Sequence, residues 1–199
     1  MHALEKRSRA EWETWMAAKG YNICGALNFA PNRNPGIQSA RQIGKKFVNI
    51  LDRKTYGHST RFGVERMVCM HLGENGDKPH FHLLAISPFE PEEFCMLSNA
   101  LWSGLDPSAA PPALNVITPV ISIAHAADYL LREFWSLGSE TWCHDLAHNN
   151  PDWAQPVAPH PNAKARLREA VSADKFERAQ VAYPKHVIEV RERFERRHK

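Results

Sequence analysis

The sequence lacks the marks of several large protein classes. Its four cysteines (Cys24, Cys69, Cys95 and Cys143) lie far apart and form no C-x-x-C pair. That spacing excludes a disulfide framework and predicts a reducing, cytoplasmic setting, with most of the thiols serving as small buried hydrophobes. No apolar run approaches the length of a membrane span, so no membrane partner is expected. Met1-His2-Ala3-Leu4-Glu5-Lys6-Arg7 opens a polar, charged stretch with no apolar core behind it, and no signal peptide is expected. There is no G-x-x-x-x-G-K-S/T loop, hence no sign of a nucleotide-driven motor, and no internal repeat.

What is present is a chain of 199 residues with an ordinary hydrophobic fraction of 43%. That is one domain, or one domain with an appendage, long enough to bury a real core. The net charge of +3 is small, but it is unevenly spread. Residues 160–199 carry 11 Lys/Arg against 6 Asp/Glu, and the rest of the chain 14 against 16. A basic tail on a near-neutral body fits a phosphate-binding element, and equally a solvated charged helix.

Hydrophobic periodicity places the elements. Alternation of Ile23, Gly25, Leu27 and Phe29 with polar or small residues predicts a strand over 21–30, and Pro31 to Gly36 a turn. A helix follows to about Tyr56, burying Ile37, Ala40, Phe47 and Leu51 and turning Arg41, Lys45, Lys46 and Arg53 outward. Strands are expected over 61–72 and 79–86, joined by a short loop, then a helix over 90–102 with Pro91 in its first turn. Residues 104–112 read as an irregular connection, 114–119 as a short strand, and 122–137 as one helix stopped by Gly138. Residues 142–161, rich in His, Asn, Pro and Trp, read as a structured loop, and two charged helical segments should flank Pro184. The expected fold is α+β, with a central, mainly antiparallel sheet of about five strands flanked by helices. Its expected parts are a helical, basic segment over 1–20, a main domain over 21–138, and a loop with a basic helical extension over 139–199.

The most informative stretch runs from Met67 to Leu84. His80 and His82 are two apart on a strand and share a face, while Phe81 and Leu83 point to the other. Asn75-Gly76 is a strong signal for a two-residue hairpin turn with φ > 0 at both positions. Under that turn His71 sits opposite His80, and Cys69 opposite His82; a four-residue loop pairs His71 with His82 on the same face, and a three-residue loop with a bulge breaks the parity. Directly opposed residues lie about 4.5–5.5 Å apart at Cβ, close enough for two imidazoles to share one ion. Three histidines with open coordination positions are what a catalytic metal requires. Glu74 falls on the opposite face in this register and ranks below His71 as third ligand. Imidazole suits Mn, Zn, Fe, Co or Ni better than Mg by softness. The expected cofactor is a divalent ion, Mn²⁺ or Mg²⁺ first, with Zn²⁺, Co²⁺ and Ni²⁺ open. Two other histidine words do not fit: triad nucleotide hydrolases need a third alternating histidine where this chain has Leu84, and cupins need a glutamate where it has Ile86-Ser87.

In the helix from Ser122, Ile123, Ala126, Ala127, Leu130, Leu131, Phe134 and Trp135 complete an apolar stripe without Tyr129. Tyr129 shares a neighbouring strip with His125 and Arg132, each within side-chain reach. A cation beside a phenol stabilises the phenolate as a nucleophile, and an arginine there can grip a phosphate oxygen.

A His-hydrophobic-His strand after Glu-Asn-Gly-Asp-Lys-Pro, followed about 50 residues later by Tyr129-Leu130-Leu131-Arg132, resembles the HUH endonucleases, and most closely their replication-initiator branch. Leu27-Asn28-Phe29 stands at the first strand motif of that branch, His80 and His82 match its two ligand histidines, His71 the slot of its third ligand, and Tyr129 its nucleophile. Arg132 replaces the usual lysine. The tyrosine follows the histidines, unlike in relaxases. The resemblance covers about residues 21–138.

It implies a metal-dependent enzyme that nicks single-stranded or hairpin DNA at an origin through a 5′-phosphotyrosine and so starts rolling-circle replication. Metal ligands would be His71, His80 and His82, catalytic residues Tyr129 and Arg132, and DNA contacts Asn28, Lys45, Lys46 and Arg132. A host helicase and polymerase would be partners, and a homodimer is open, because one tyrosine serves one cleavage. A transposase or mobilisation nuclease of the same chemistry, and a non-catalytic DNA-binding module with a structural metal, are the competing expectations.

Overall fold

The computed structural model describes residues 3–57, 62–73, 75–149 and 158–197. Its centre is a four-stranded antiparallel sheet in the order β2-β3-β1-β4, from β1 (Ile23–Leu27), β2 (Arg66–His71), β3 (His80–Ala85) and β4 (Val116–Pro119). Helices α2 (Ile37–Tyr56) and α3 (Pro91–Leu105) are the crossovers from β1 to β2 and from β3 to β4. Each crossover skips one strand, so two split β-α-β units interleave. Helix α1 (Ala3–Lys19) precedes the sheet, and α4 (Ile123–Leu131), α5 (Phe134–Leu137), α6 (Ala163–Glu169) and α7 (Ala173–Arg197) follow it.

Alternation along each strand separates two cores. One face sends Ile23, Leu27, Val68, Met70, Phe81 and Leu83 into a core with α2 and α3. Phe47, Phe29 and Phe81 meet Trp102 edge-on at 5.2–6.0 Å between ring centroids, a geometry that aromatic quadrupoles favour. Gly44 lets α2 approach: a Cβ there would lie 2.9 Å from Leu146 Cδ1 and 3.2 Å from Phe81. The other face sends Met67, Cys69 and Leu84 against Met16 of α1 and Ala126, Ala127, Leu130 and Leu131 of α4. Helix α4 therefore lies across the sheet on the face opposite α2 and α3.

Three expectations are corrected. The sheet has four strands, not five: residues 142–148 run beside β2 and touch it as isolated bridges, Cys69 with Trp142 and Arg66 with His148. The helix expected over 122–137 breaks at Arg132 and Glu133 into α4 and α5. The break falls where the Leu130 carbonyl accepts from His71 Nε2 (2.9 Å) and the Glu133 carboxylate accepts the Leu72 N–H (2.8 Å). Bonds to the hairpin there replace the continuing helical ladder. Finally, α7 runs through Pro184 instead of stopping on either side of it. A proline inside a helix costs about 3 kcal/mol, and burial of Ala179, Ala182 and His186 around it holds the two halves in line.

Among the described residues, no helix is long and apolar enough to cross a membrane.

Candidate metal and nucleophile site

The hairpin puts the histidines together. His71 pairs with His80 and Cys69 with His82 in the β2–β3 register. That is the register expected from a two-residue turn, but the turn is different. Positive φ falls on Gly73 and Gly76 (72° each) and not on Asn75, and the Gly76 N–H closes onto the Gly73 carbonyl at 3.1 Å. The ladder ends at His71 and His80, so the connection is longer than two residues and still keeps the parity. Glu74, the alternative third ligand, lies outside the described residues.

One ligand nitrogen from each of His71, His80 and His82 lies within 4.8 Å of the others. The ring centroids are 4.1 Å (His71–His82), 4.9 Å (His80–His82) and 5.6 Å (His71–His80) apart. Hydrogen bonds select the nitrogens. His71 Nε2 donates to the Leu130 carbonyl at 2.9 Å, leaving Nδ1 as the lone pair, and His80 Nδ1 donates to the Lys78 carbonyl at 2.9 Å, leaving Nε2. His82 is 1% exposed, and neither of its nitrogens has a hydrogen-bond partner; nor has His71 Nδ1. A buried polar atom without a partner costs about 1–3 kcal/mol. A shared ion would satisfy His71 Nδ1 and one nitrogen of His82, with His80 Nε2 as the third donor, so this set of neutral nitrogen donors fits a divalent metal.

Electrostatics keep the donors in the form a metal needs. Burial first, then the neighbouring His71, His80 and Arg132, holds His82 well below the ordinary histidine range. Burial also lowers His71, against the opposing pull of the Leu130 carbonyl and the Glu133 carboxylate. Both rings stay neutral near pH 7, with lone pairs available.

Tyr129 stands beside this cluster. Its ring meets His82 at 4.5 Å and 90°, and the Arg132 guanidinium lies over the ring, 4.6 Å from its centroid. Ser122 caps the helix that carries it, accepting the His125 N–H at 3.4 Å. Asn28 follows β1 at the edge of the same face. Its side-chain nitrogen donates to the Leu114 carbonyl at 2.6 Å. The structure thus gathers Asn28, His71, His80, His82, Tyr129 and Arg132 on one side of the sheet. It does not gather Lys45 and Lys46, which sit on α2 behind the opposite face. There Lys45 pairs with Asp145 at 2.9 Å and Lys46 donates to the Leu105 carbonyl at 3.1 Å.

Sequence reasoning missed Glu133. Its carboxylate accepts the Leu72 and Gly73 N–H groups at 2.8 and 3.3 Å and comes within 3.8 Å of His71 Nδ1. It ties the end of α4 to the hairpin just beyond the histidine cluster. Its place beside Arg132, one step past the apolar stripe, was the available signal.

Two cavities meet at the cluster, sharing Asn28, His80 and Leu114. One, of about 390 Å³, runs past His82 and Tyr129 along the uncovered face of β1 and β4. The other, of about 460 Å³, opens past Phe29, Asn34 and Lys78. A histidine cluster with a phenol at the junction of two grooves defines the class: an α+β protein with a three-histidine centre able to hold a metal. Compared with known proteins, the chain matches no family model, no curated protein and no solved structure.

Proposed function

We propose that this protein is a metal-dependent DNA-nicking enzyme of the HUH type, acting on single-stranded or extruded origin DNA to start rolling-circle replication. The observation that carries the reading is the contact of Tyr129 with His82 at 4.5 Å, beside a cluster in which His71 Nδ1 and both His82 nitrogens lack protein partners. A fold-stabilising metal alone gives no reason for a tyrosine and an arginine at the same spot. The interleaved β-α-β order, with both histidine strands in the hairpin, supports the same reading.

His71 Nδ1, His80 Nε2 and His82 would hold the ion, which when bound would withdraw charge from a non-bridging oxygen of the scissile phosphate. The rest is done by the chain. The Tyr129 oxygen attacks phosphorus in line. The new P–O bond to tyrosine forms as the P–O3′ bond breaks, the phenol proton passes to solvent, and the departing 3′ oxygen takes up a proton as a free 3′-OH. Arg132, stacked over the tyrosine ring, would stabilise the phenolate and offers a charge suited to a phosphate oxygen. Glu133 keeps the hairpin registered against α4, so that His71 and Tyr129 hold their spacing. The 5′-phosphotyrosine conserves the bond, and a later 3′-OH can attack it to reseal a circle.

Incubation with a labelled random-sequence single-stranded DNA library and Mn²⁺ tests this. Wild type is expected to form a protein–DNA adduct that survives denaturing gels, and Tyr129→Phe to form none. An equal adduct in the variant would remove Tyr129 as the nucleophile. Chelation is expected to abolish the adduct while leaving the far-ultraviolet circular dichroism spectrum in place; unfolding on chelation would instead support a structural metal.

A further inference from the structure

The groove along β1 and β4 has two unlike walls. Helix α4 supplies one, with Ser122, His125 and Tyr129, and the last turns of α7 supply the other, with Glu189, Arg193 and Phe194. Between them the floor is small and apolar, with Ala26 and Val116, and leads directly to His80 and His82. Helix α7 reaches this place because it packs on α3 and on the β4 edge. His186 is buried there, its Nε2 3.3 Å from the Ala113 carbonyl. The far wall is therefore set by tertiary packing of the C-terminal helix and does not belong to the metal hairpin.

The chemistry of this wall is specific. Arg193 is the only Lys or Arg lining the groove among the described residues, and Glu189 is turned back towards Lys185 at 3.9 Å. Phe194 presents its ring beside His125, at 6.0 Å and 77°. One aromatic face, one guanidinium and a narrow apolar floor beside a phosphate-cleaving centre match one nucleotide. The ring accepts the base by stacking, the cation accepts the phosphate, and the apolar floor replaces the neighbouring bases that a duplex would supply.

Resting on the nicking reading, we propose that the end of α7 forms a nucleotide pocket: Phe194 stacks on the base adjoining the scissile phosphate, and Arg193 holds the adjoining phosphate. The strand then crosses the metal cluster from one cavity into the other, with the C-terminal helix fixing its position relative to Tyr129. Phe194 and Arg193 are positioning residues in this scheme, because neither touches the reacting atoms.

Equilibrium binding isolates the pocket from catalysis. With Tyr129→Phe protein, a fluorescent eight-nucleotide single-stranded oligo-dT is compared with an eight-unit abasic strand of the same charge. The parent is expected to prefer the base-bearing strand about tenfold or more, the range of base–aromatic stacking. Phe194→Ala added to it should bring the two strands within about threefold of each other, and Phe194→Trp should restore the preference. Arg193→Gln should weaken both strands equally and reduce the slope of log affinity against log salt by about one. A preference unchanged in Phe194→Ala would overturn the base pocket, and an unchanged salt slope in Arg193→Gln would overturn the phosphate contact. The two readings fail separately: Phe194-dependent base binding without any tyrosine adduct would leave a DNA-binding groove and remove the nicking enzyme, whereas an adduct with no Phe194 dependence would remove only the pocket.

Discussion

The two faces of one sheet carry different kinds of burial. Behind the sheet, Leu27, Phe81 and Leu83 meet α2 and α3 in an apolar core, and the buried Arg66 is answered by the Asp52 carboxylate at 2.7 Å. In front, the same strands begin as an apolar surface under α4, with Met67, Cys69 and Leu84, and then give way to His71 and His82. Those two histidines are as buried as the core leucines, yet three of their four ring nitrogens lack a partner. Unpartnered buried oxygens also occur behind the sheet, at Thr55, Ser98 and Asn99. Among the described residues, only in front do unpartnered nitrogens gather with a third histidine at one spot, and that convergence is the physical signature of a site.

The largest test of that contrast is Trp102→Ala, behind the sheet. Trp102 is fully buried among Phe29, Phe47 and Phe81, and its indole N–H donates to the Asn28 carbonyl at 2.7 Å. Loss of about 3–5 kcal/mol is expected from urea unfolding; a loss under about 1 kcal/mol would mean that the back face is not the stabilising one.

In front, the sign should reverse. His82→Leu keeps the volume and removes two unsatisfied nitrogens, so the metal-free protein should gain about 1–2 kcal/mol. Wild type should also rise in Tm as Mn²⁺ is added, and the variant should not. A destabilised, metal-responsive His82→Leu protein would break the comparison.

A smaller effect is expected from Glu133→Gln, which keeps the shape but weakens the clamp on Leu72 and Gly73 and removes the charge 3.8 Å from His71. Mn²⁺ affinity measured by calorimetry should fall about tenfold, the lower range for residues that orient a ligand histidine. Unchanged affinity would reduce Glu133 to a loop anchor.

The smallest effect concerns α7. Burial holds His186 below its usual range, the Ala113 carbonyl opposing. Below about pH 6.5 the unfolded chain takes up this proton first, so stability falls with falling pH from there towards the lowered folded value. His186→Gln should flatten part of that acid limb in urea midpoints taken between pH 7.5 and 5; an unaltered limb would show that His186 does not couple α7 docking to pH.

Much of the fold could be read from periodicity because the two cores impose it. Alternation in Met67 to His71 and in His80 to Ala85 reports two buried faces of a strand, and the stripe from Ile123 to Leu131 reports one buried face of a helix. The reading failed where long-range contacts compete with local pattern. Helix α4 ends early because its Leu130 carbonyl and Glu133 serve the hairpin, and α7 continues because packing outweighs the proline. The hairpin register was legible, but through a turn that the chain does not use. An even number of residues between His71 and His80 keeps parity for more than one turn geometry.

The sequence by itself determined that His80 and His82 share a face and that Tyr129 stands off its apolar stripe. Those are consequences of periods 2 and 3.6, which need only local backbone geometry. Only the tertiary structure decided that Tyr129 meets His82, that Lys45 and Lys46 belong to the far side, and that Arg193 and Phe194 wall the groove. Each of these depends on which face of the sheet a helix packs against, and that is settled by burial summed over the whole molecule and not by any local run of residues.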